Sequence, residues 1–184
     1  MDDQIKNKME QAYNLIEQAH HQMTDVWLEH VLFGWQWWLG VFLSVIPWLL
    51  WVLLRDKQKA VHSLLVGFFV ITISSWLDLI GISLGLWHYN WEVLPFIPAN
   101  IPWNFSLIPV TIMLFLQYRP TVSPLIKAAV FGGFTAFVAE PLAQWVDLYE
   151  PEQWRHIYSF LIYIFIYMTA YSLYSLKKSR ASDK

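Results

Sequence analysis

The 184-residue sequence predicts an all-α, polytopic membrane helical bundle of about five transmembrane helices, and three observations carry that expectation. Hydrophobic residues make up 57% of the chain and charged residues only 14%, against about 25% charged in an ordinary soluble domain. Such a chain is too apolar to cover itself with polar surface. The apolar residues also fall in long blocks separated by short charged or Pro-rich stretches, and a hydrocarbon layer about 30 Å thick needs ~20 such residues per crossing.

The N-terminal segment, residues 1–30, reads as an amphipathic helix. Ile5, Met9, Ala12, Ile16, Ala19, Met23 and Val26 alternate four and three apart, a seam over three heptads. It suits a helix lying on a membrane or on the protein, and equally one that pairs with a second copy or a protein partner, although two seam positions are Ala. The polar start gives no sign of a cleavable signal peptide. Residues 31–176 form the five-span domain. Span 1 is expected from Val31 to Leu54, span 2 from Ala60 to Trp87, span 3 from Asn104 to Tyr118, span 4 from Thr121 to Trp145 and span 5 from His156 to Leu176. Between spans 2 and 3, Pro95, Pro98 and Pro102 forbid a continuous helix over residues 88–103. That stretch is nonetheless apolar and is expected in the interface or dipping into the bundle. Span 3 is short for a crossing and contains Pro109. Residues 177–184 form a basic tail.

Lys and Arg set the expected orientation. Arg55, Lys57, Lys59, Arg119, Lys127, Lys177, Lys178, Arg180 and Lys184 collect on one side; Lys6, Lys8 and Arg155 collect on the other. Positive residues favour the cytoplasm, so a cell-membrane protein with its N-terminus outside and its C-terminus cytoplasmic is expected. Most Trp residues fall near the outer boundary, as an aromatic belt does, and their surplus there suggests an aromatic-lined mouth. A weak internal repeat is also legible. Spans 2–3 and spans 4–5 each carry an acid late in the first helix, an aromatic loop and an apolar second helix, a pattern that two repeated helical hairpins would produce and that apolar helices also produce by chance.

The absence of Cys excludes disulfides, thiolate metal sites and Cys nucleophiles. A net charge of −2 with scattered basic clusters leaves no nucleic-acid footprint. No nucleophile elbow, zinc-protease motif or phosphate loop is present, and no cofactor is expected. His20-His21 with His30 reads as a solvated face rather than a metal site.

Two acids lie inside apolar blocks: Asp78 in Ser-Ser-Trp-Leu-Asp-Leu-Ile-Gly and Glu140 in Phe-Val-Ala-Glu-Pro-Leu. A carboxylate at a membrane-helix centre costs about 2.5–3.5 kcal/mol on insertion scales, so both should face protein or water. Each extends a seam of small residues: Ala128, Gly132 and Ala136 run to Glu140, and Gly67, Ser74, Gly81 and Gly85 share a face with Asp78. Such seams mark close helix contact in membranes. Both acids lie about 18–19 residues from the basic end, ~27–29 Å at 1.5 Å per residue, level with Tyr89, Trp103, Asn104 and Tyr158. The expected site is an outward-facing pocket with Asp78, Asn104 and Glu140 as polar floor and Trp76, Trp87, Tyr89, Trp103 and Tyr158 as aromatic walls. The alternative is structural: buried, protonated carboxyls bonded to neighbours.

The ordered motifs Trp37-Trp38, Pro47-Trp48, Leu77-Asp78-Leu79-Ile80-Gly81, Gly85-Leu86-Trp87-His88-Tyr89, Pro109-Val110 with Gln117-Tyr118, Ala139-Glu140-Pro141-Leu142 and Ile157-Tyr158-Ser159-Phe160 resemble a family of small uncharacterised multi-pass membrane proteins of spore-forming Gram-positive bacteria. The likeness covers roughly residues 31–176 and implies a membrane location and a helical fold rather than an activity. A fainter likeness, on Asp78, Gly85, Trp87 and Tyr89, is to the membrane-embedded lycopene cyclase domain. Pro102-Trp103-Asn104-Phe105 stands where that family has the paired glutamates of its acid–base chemistry.

Three functions follow as expectations. The first is a non-enzymatic protein that binds a membrane lipid, or a membrane partner, in the outer pocket. The second is an enzyme acting on an isoprenoid or other lipid by carboxyl acid–base chemistry, which would keep binding and lose turnover in Glu140→Gln. The third is proton-linked transport, which needs an acid reachable from both sides; the cytoplasmic halves of the spans offer none.

Overall fold

In a computed structural model, residues 3–97 and 99–182 are described, with side chains through Leu176. Pro98, and the charged side chains expected to form the basic tail, lie outside the described residues. The described residues form an all-α bundle of six helices: α1 (Asp3–Val26), α2 (Trp35–Leu54), α3 (Ala60–Ser83), α4 (Ile101–Gln117), α5 (Pro124–Trp145) and α6 (His156–Ser182). A two-residue strand β1 (Trp87–His88) pairs antiparallel with β2 (Glu150–Pro151), joining the α3–α4 and α5–α6 connections.

Among the described residues, four helices are long and apolar enough to cross a membrane: Trp35–Leu54, Ala60–Ser83, Pro124–Trp145 and His156–Leu176. Their outward faces carry exposed Leu49, Leu53, Leu65, Phe68, Val130, Phe137, Leu161 and Phe165, which water would penalise and lipid does not. The expected third span is α4, shorter than the others. It lies against α2, α3 and α6 and buries Ile108, Pro109, Val110, Ile112, Met113 and Leu116. The core runs from Val66 and Val70 of α3 through Ile108 and Ile112 of α4 to Ile166, Tyr167 and Ala170 of α6 and Phe131 of α5. A second cluster packs Trp51 of α2 against Val110 and Met113 of α4.

The small-residue seams pack as expected in all but one position. Ala128, Gly132, Ala136 and Glu140 are buried, and a Cβ on Gly132 would lie 3.1 Å from the Phe160 carbonyl of α6. On α3, Gly67, Ser74, Asp78 and Gly81 are buried. Gly85 is not part of the seam. It is exposed at φ +66°, where the left-handed backbone ends the helix, so span 2 stops at Ser83 instead of continuing to Trp87. Its Leu86 N–H reaches back to the Gly81 carbonyl and the Gly85 N–H to that of Ile82. Helix α5 ends in the same way: Asp147 sits at φ +60°, the Leu148 N–H bonds to the Ala143 carbonyl and the Asp147 N–H to that of Gln144. Each cap stands seven residues beyond its acid, Asp78 or Glu140. The first helices of the two hairpins, α3 and α5, therefore end in the same kind of cap.

Pro109 of α4 and Pro141 of α5 each follow a widened turn. The Ile108 N–H bonds to the Trp103 carbonyl and the Glu140 N–H to that of Thr135, five residues back in each case. Pro109 and Pro141 come next and bring no N–H to the ladder. Such π turns recur at functional sites, and these two flank the acids' end of the bundle.

Helix α1 buries no residue. Ile5, Met9, Ile16, Met23 and Val26 of its seam are all exposed. At the opposite end of the bundle, the Lys127 ammonium donates to the Phe115 and Tyr118 carbonyls at the end of α4. It fills acceptors the helix leaves open. Lys127→Met is expected to lower stability by about 1–3 kcal/mol, read from denaturant unfolding in mixed micelles.

Candidate functional site

Asp78 is 4% exposed, in the last turns of α3. Its Oδ1 accepts hydrogen bonds from the Trp87 indole N–H and the Tyr89 hydroxyl, each at 2.8 Å. Its Oδ2 accepts from the Asn100 backbone N–H at 2.9 Å and from the Asn104 side-chain amide. An indole N–H, a backbone N–H and an amide NH2 can only donate. Three of the four partners are thus fixed as donors, two on Oδ2 and one on Oδ1, and the Tyr89 hydroxyl is the fourth. Asn100 also caps α4, its side-chain oxygen accepting the Trp103 N–H at 3.1 Å. One residue thus anchors the start of α4 to the acid of α3.

Glu140 is 5% exposed at the turn before Pro141. The Tyr163 hydroxyl donates to its Oε1 at 2.9 Å, and the His156 Nδ1 lies 2.8 Å from its Oε2. Tyr163 in turn accepts the Trp103 indole N–H at 2.8 Å. Because indole only donates, the hydroxyl's own proton is turned toward Glu140. Ser159, one turn before Tyr163, accepts the Trp154 indole N–H at 2.8 Å. One indole-to-hydroxyl chain, Trp103 to Tyr163, thus ends on the Glu140 carboxyl.

The acids do not touch; the dipeptide Trp103-Asn104 bridges them, Asn104 to Asp78 and Trp103 through Tyr163 to Glu140. Both line one cavity of about 390 Å³. Its polar part is formed by Asp78, Asn104, Glu140 and Ser159, with Trp87, Tyr89, Trp91, Trp103, Tyr149 and Trp154 around them. Its apolar part is formed by Leu39 and Leu43 of α2, Leu107 and Ile108 of α4, and Ile162 and Ile166 of α6. Leu142 and Trp145 line it too, yet Trp145 is 80% exposed, so the cavity opens at the last turns of α5.

Six of the eight expected site residues line this cavity: Asp78, Glu140, Asn104, Trp87, Tyr89 and Trp103. Trp76 does not. It is 62% exposed, because two positions on a helix are 200° of rotation, which turns it away from the face that buries Asp78. Tyr158 is also outside the cavity and half exposed. The inward positions of α6 are His156, Ser159 and Tyr163, three and then four apart on one face. That polar stripe is the signal that sequence reading passed over.

The connection before α4 is tied to other elements by indoles. Trp27 donates to the Glu92 carbonyl at 2.9 Å and Trp37 to the Val93 carbonyl at 3.1 Å. Glu92 lies beside the end of α1, near Met23 and Trp27. Burial, and then the charge of Asp78, push its carboxyl up to about 8. A free glutamate ionises near 4.5, so between these values the folded segment holds the extra proton. Its stability is full at low pH and falls as pH rises toward 8. Limited proteolysis between α1 and α2 is expected to be several-fold faster at pH 8.5 than at pH 5.5, and Glu92→Gln is expected to flatten that dependence.

No family model, curated protein or solved structure matches the chain, so the site stands on its own geometry.

Proposed function

We propose that the protein binds a lipid-like amphiphile in the cavity between α2, α3, α4, α5 and α6. The observation that carries this reading is the division of the cavity. Buried carboxylates and indoles occupy one part, aliphatic residues the other, and the opening is rimmed by Leu142 and Trp145 of an apolar helix. Ligand sites are largely apolar clefts with a few placed polar groups, and an opening at an apolar helix admits a molecule from the bilayer.

In this reading the protein resides in the cell membrane of a Gram-positive bacterium. The N-terminus and the cavity face outward, and the basic connections face the cytoplasm. The likeness to the small multi-pass family agrees with that location. The exposed seam of α1 is available to a second copy or a protein partner.

Native mass spectrometry on protein extracted gently from its own membrane tests the reading. A defined amphiphile is expected to co-purify at about one per chain and to be depleted in Leu43→Trp, which fills the apolar part. Release of only a non-stoichiometric lipid mixture, unchanged by the substitution, would remove the reading.

A further inference from the structure

We propose that α1 pairs antiparallel with the α1 of a second copy of this chain, centred on Tyr13 and Leu15, with the partner's Lys6 and Lys8 arriving at the groove that holds Glu92. The proposal does not depend on what fills the cavity.

The helix has the surface of a coiled-coil strand. α1 runs 24 residues and buries none of them. Its seven seam residues, from Ile5 to Val26, are strictly four and three apart, the narrow stripe that a second helix covers. A helix lying on a membrane carries Lys and Arg on its polar face and Trp, Phe or Leu on the other. Here Asp3, Glu10, Glu17 and Asp25 outnumber Lys6 and Lys8, and the seam is Ile, Met, Ala and Val. Anionic lipids attract the opposite balance of charge.

Packing then selects the occupant and its direction. In a parallel, in-register pair each seam residue meets itself, so Ala12 and Ala19 leave two unfilled layers. In an antiparallel pair Met9 meets the partner's Ala19, Ala12 the partner's Ile16 and Ile5 the partner's Met23. Both alanines then face large side chains, as interdigitating layers require. The flanks of the seam agree. Tyr13 and Leu15, each 66% exposed, stand on either side of its middle. In this register each meets its own copy across the twofold axis, the self-complementarity of an isologous contact.

Charge selects the same direction. Lys6 and Lys8 stand at one end of the helix, with Asp25 and Glu29 at and just beyond the other. A parallel pair sets lysine beside lysine, whereas an antiparallel pair sets the lysines at the acidic end. That end also carries a groove of about 330 Å³, lined by Met23 and Val26 of the seam and by Tyr89, Glu92 and Pro95 of the connection before α4. Burial and the charge of Asp78 raise the Glu92 carboxyl, and no lysine or arginine among the described residues offsets them. The partner's Lys8 lies opposite Gln22, which lines this groove, and so brings the groove a cation.

Disulfide mapping tests the proposal cleanly, because the chain has no cysteine of its own. Full-length Ile5→Cys and Met23→Cys chains carrying different tags are co-expressed, and their membranes are oxidised. The mixed species is expected to form several-fold more than either self-coupled species, since the two Ile5 positions of an antiparallel pair are ~27 Å apart at 1.5 Å per residue. Ile16→Glu in both chains is expected to lower the mixed yield several-fold. Ile16 is exposed, so thermal unfolding of the bundle should not change. Lys6→Glu with Lys8→Glu is expected to lower the yield as well. Self-coupling of the Ile5→Cys chain would overturn the antiparallel direction. Absence of any coupled species, or a mixed yield indifferent to Ile16→Glu, would overturn pairing with a second copy. A yield indifferent to the two lysine substitutions would overturn the contact with the Glu92 groove.

Discussion

Asp78→Asn is expected to cost about 2–6 kcal/mol of stability and to loosen the whole aromatic end of the bundle. The substitution is nearly isosteric, so packing does not explain a cost of that size; hydrogen-bond accounting does. Four donors converge on the carboxylate, from Trp87, Tyr89, Asn100 and Asn104. An amide offers one oxygen and, in place of the other, an NH2 that confronts two of those donors. Each buried donor left without an acceptor costs ~1–3 kcal/mol. The donors belong to the α3–α4 connection and to the start of α4, so one substitution releases the elements that roof the cavity. Denaturant unfolding in mixed micelles gives the magnitude, and faster proteolysis within residues 84–100 gives the location. An Asp78→Asn protein as stable as the parent would mean that the acid is held protonated.

Gly81→Ala is expected to be nearly as damaging, at about 2–4 kcal/mol, although it adds a single carbon. A Cβ at this position would lie 2.0 Å from Trp87 Cη2 and Cζ2. The ring cannot step aside cheaply. Its indole N–H is bonded to Asp78, its strand is paired to β2, and it stacks edge-on against Trp154 at 4.9 Å. Overpacking costs ~1–3 kcal/mol and a weakened buried bond adds about 1 kcal/mol. Gly67→Ala is the useful contrast. Its nearest neighbour is the Met113 sulfur, at 2.7 Å, on a flexible thioether chain that can re-settle. Thermal unfolding of the two variants side by side is expected to show the Gly81 protein losing several times as much as the Gly67 protein.

The bundle was legible because its signals are local and redundant. Apolar blocks bounded by Arg55-Asp56-Lys57 or by proline locate α2, α3, α5 and α6 within a few residues. The end of α3 was misplaced by four residues, because Gly85 was assigned to a packing seam when its left-handed backbone terminates the helix. The site was half legible. The cost of a carboxyl among apolar residues identified Asp78 and Glu140, and the same end of the bundle supplied Asn104, Trp87, Tyr89 and Trp103. Which indoles serve the cavity could not be read from position along the chain. Trp27, Trp37 and Trp48 sit where a membrane belt would, and each spends its N–H on a distant backbone carbonyl. Trp76 and Tyr158 failed for a rotational reason, since an error of one or two positions on a helix turns a side chain from wall to surface. Tyr163, Ser159 and His156 required knowing that α6 presents that face to α5, a tertiary fact.

The central claim is that an amphiphile enters between the helices, and photolabelling tests it most directly. Membranes containing a phospholipid with a photoreactive group in its acyl chain are irradiated, and the labelled residues are mapped by mass spectrometry. Ile108 and Leu107 of α4 line the cavity, and Ile108 is buried in the core. The account predicts label on these two residues, competed away by excess unlabelled short-chain lipid. Label confined to outward residues such as Phe68, Leu161 and Phe165, with none on α4, would contradict it.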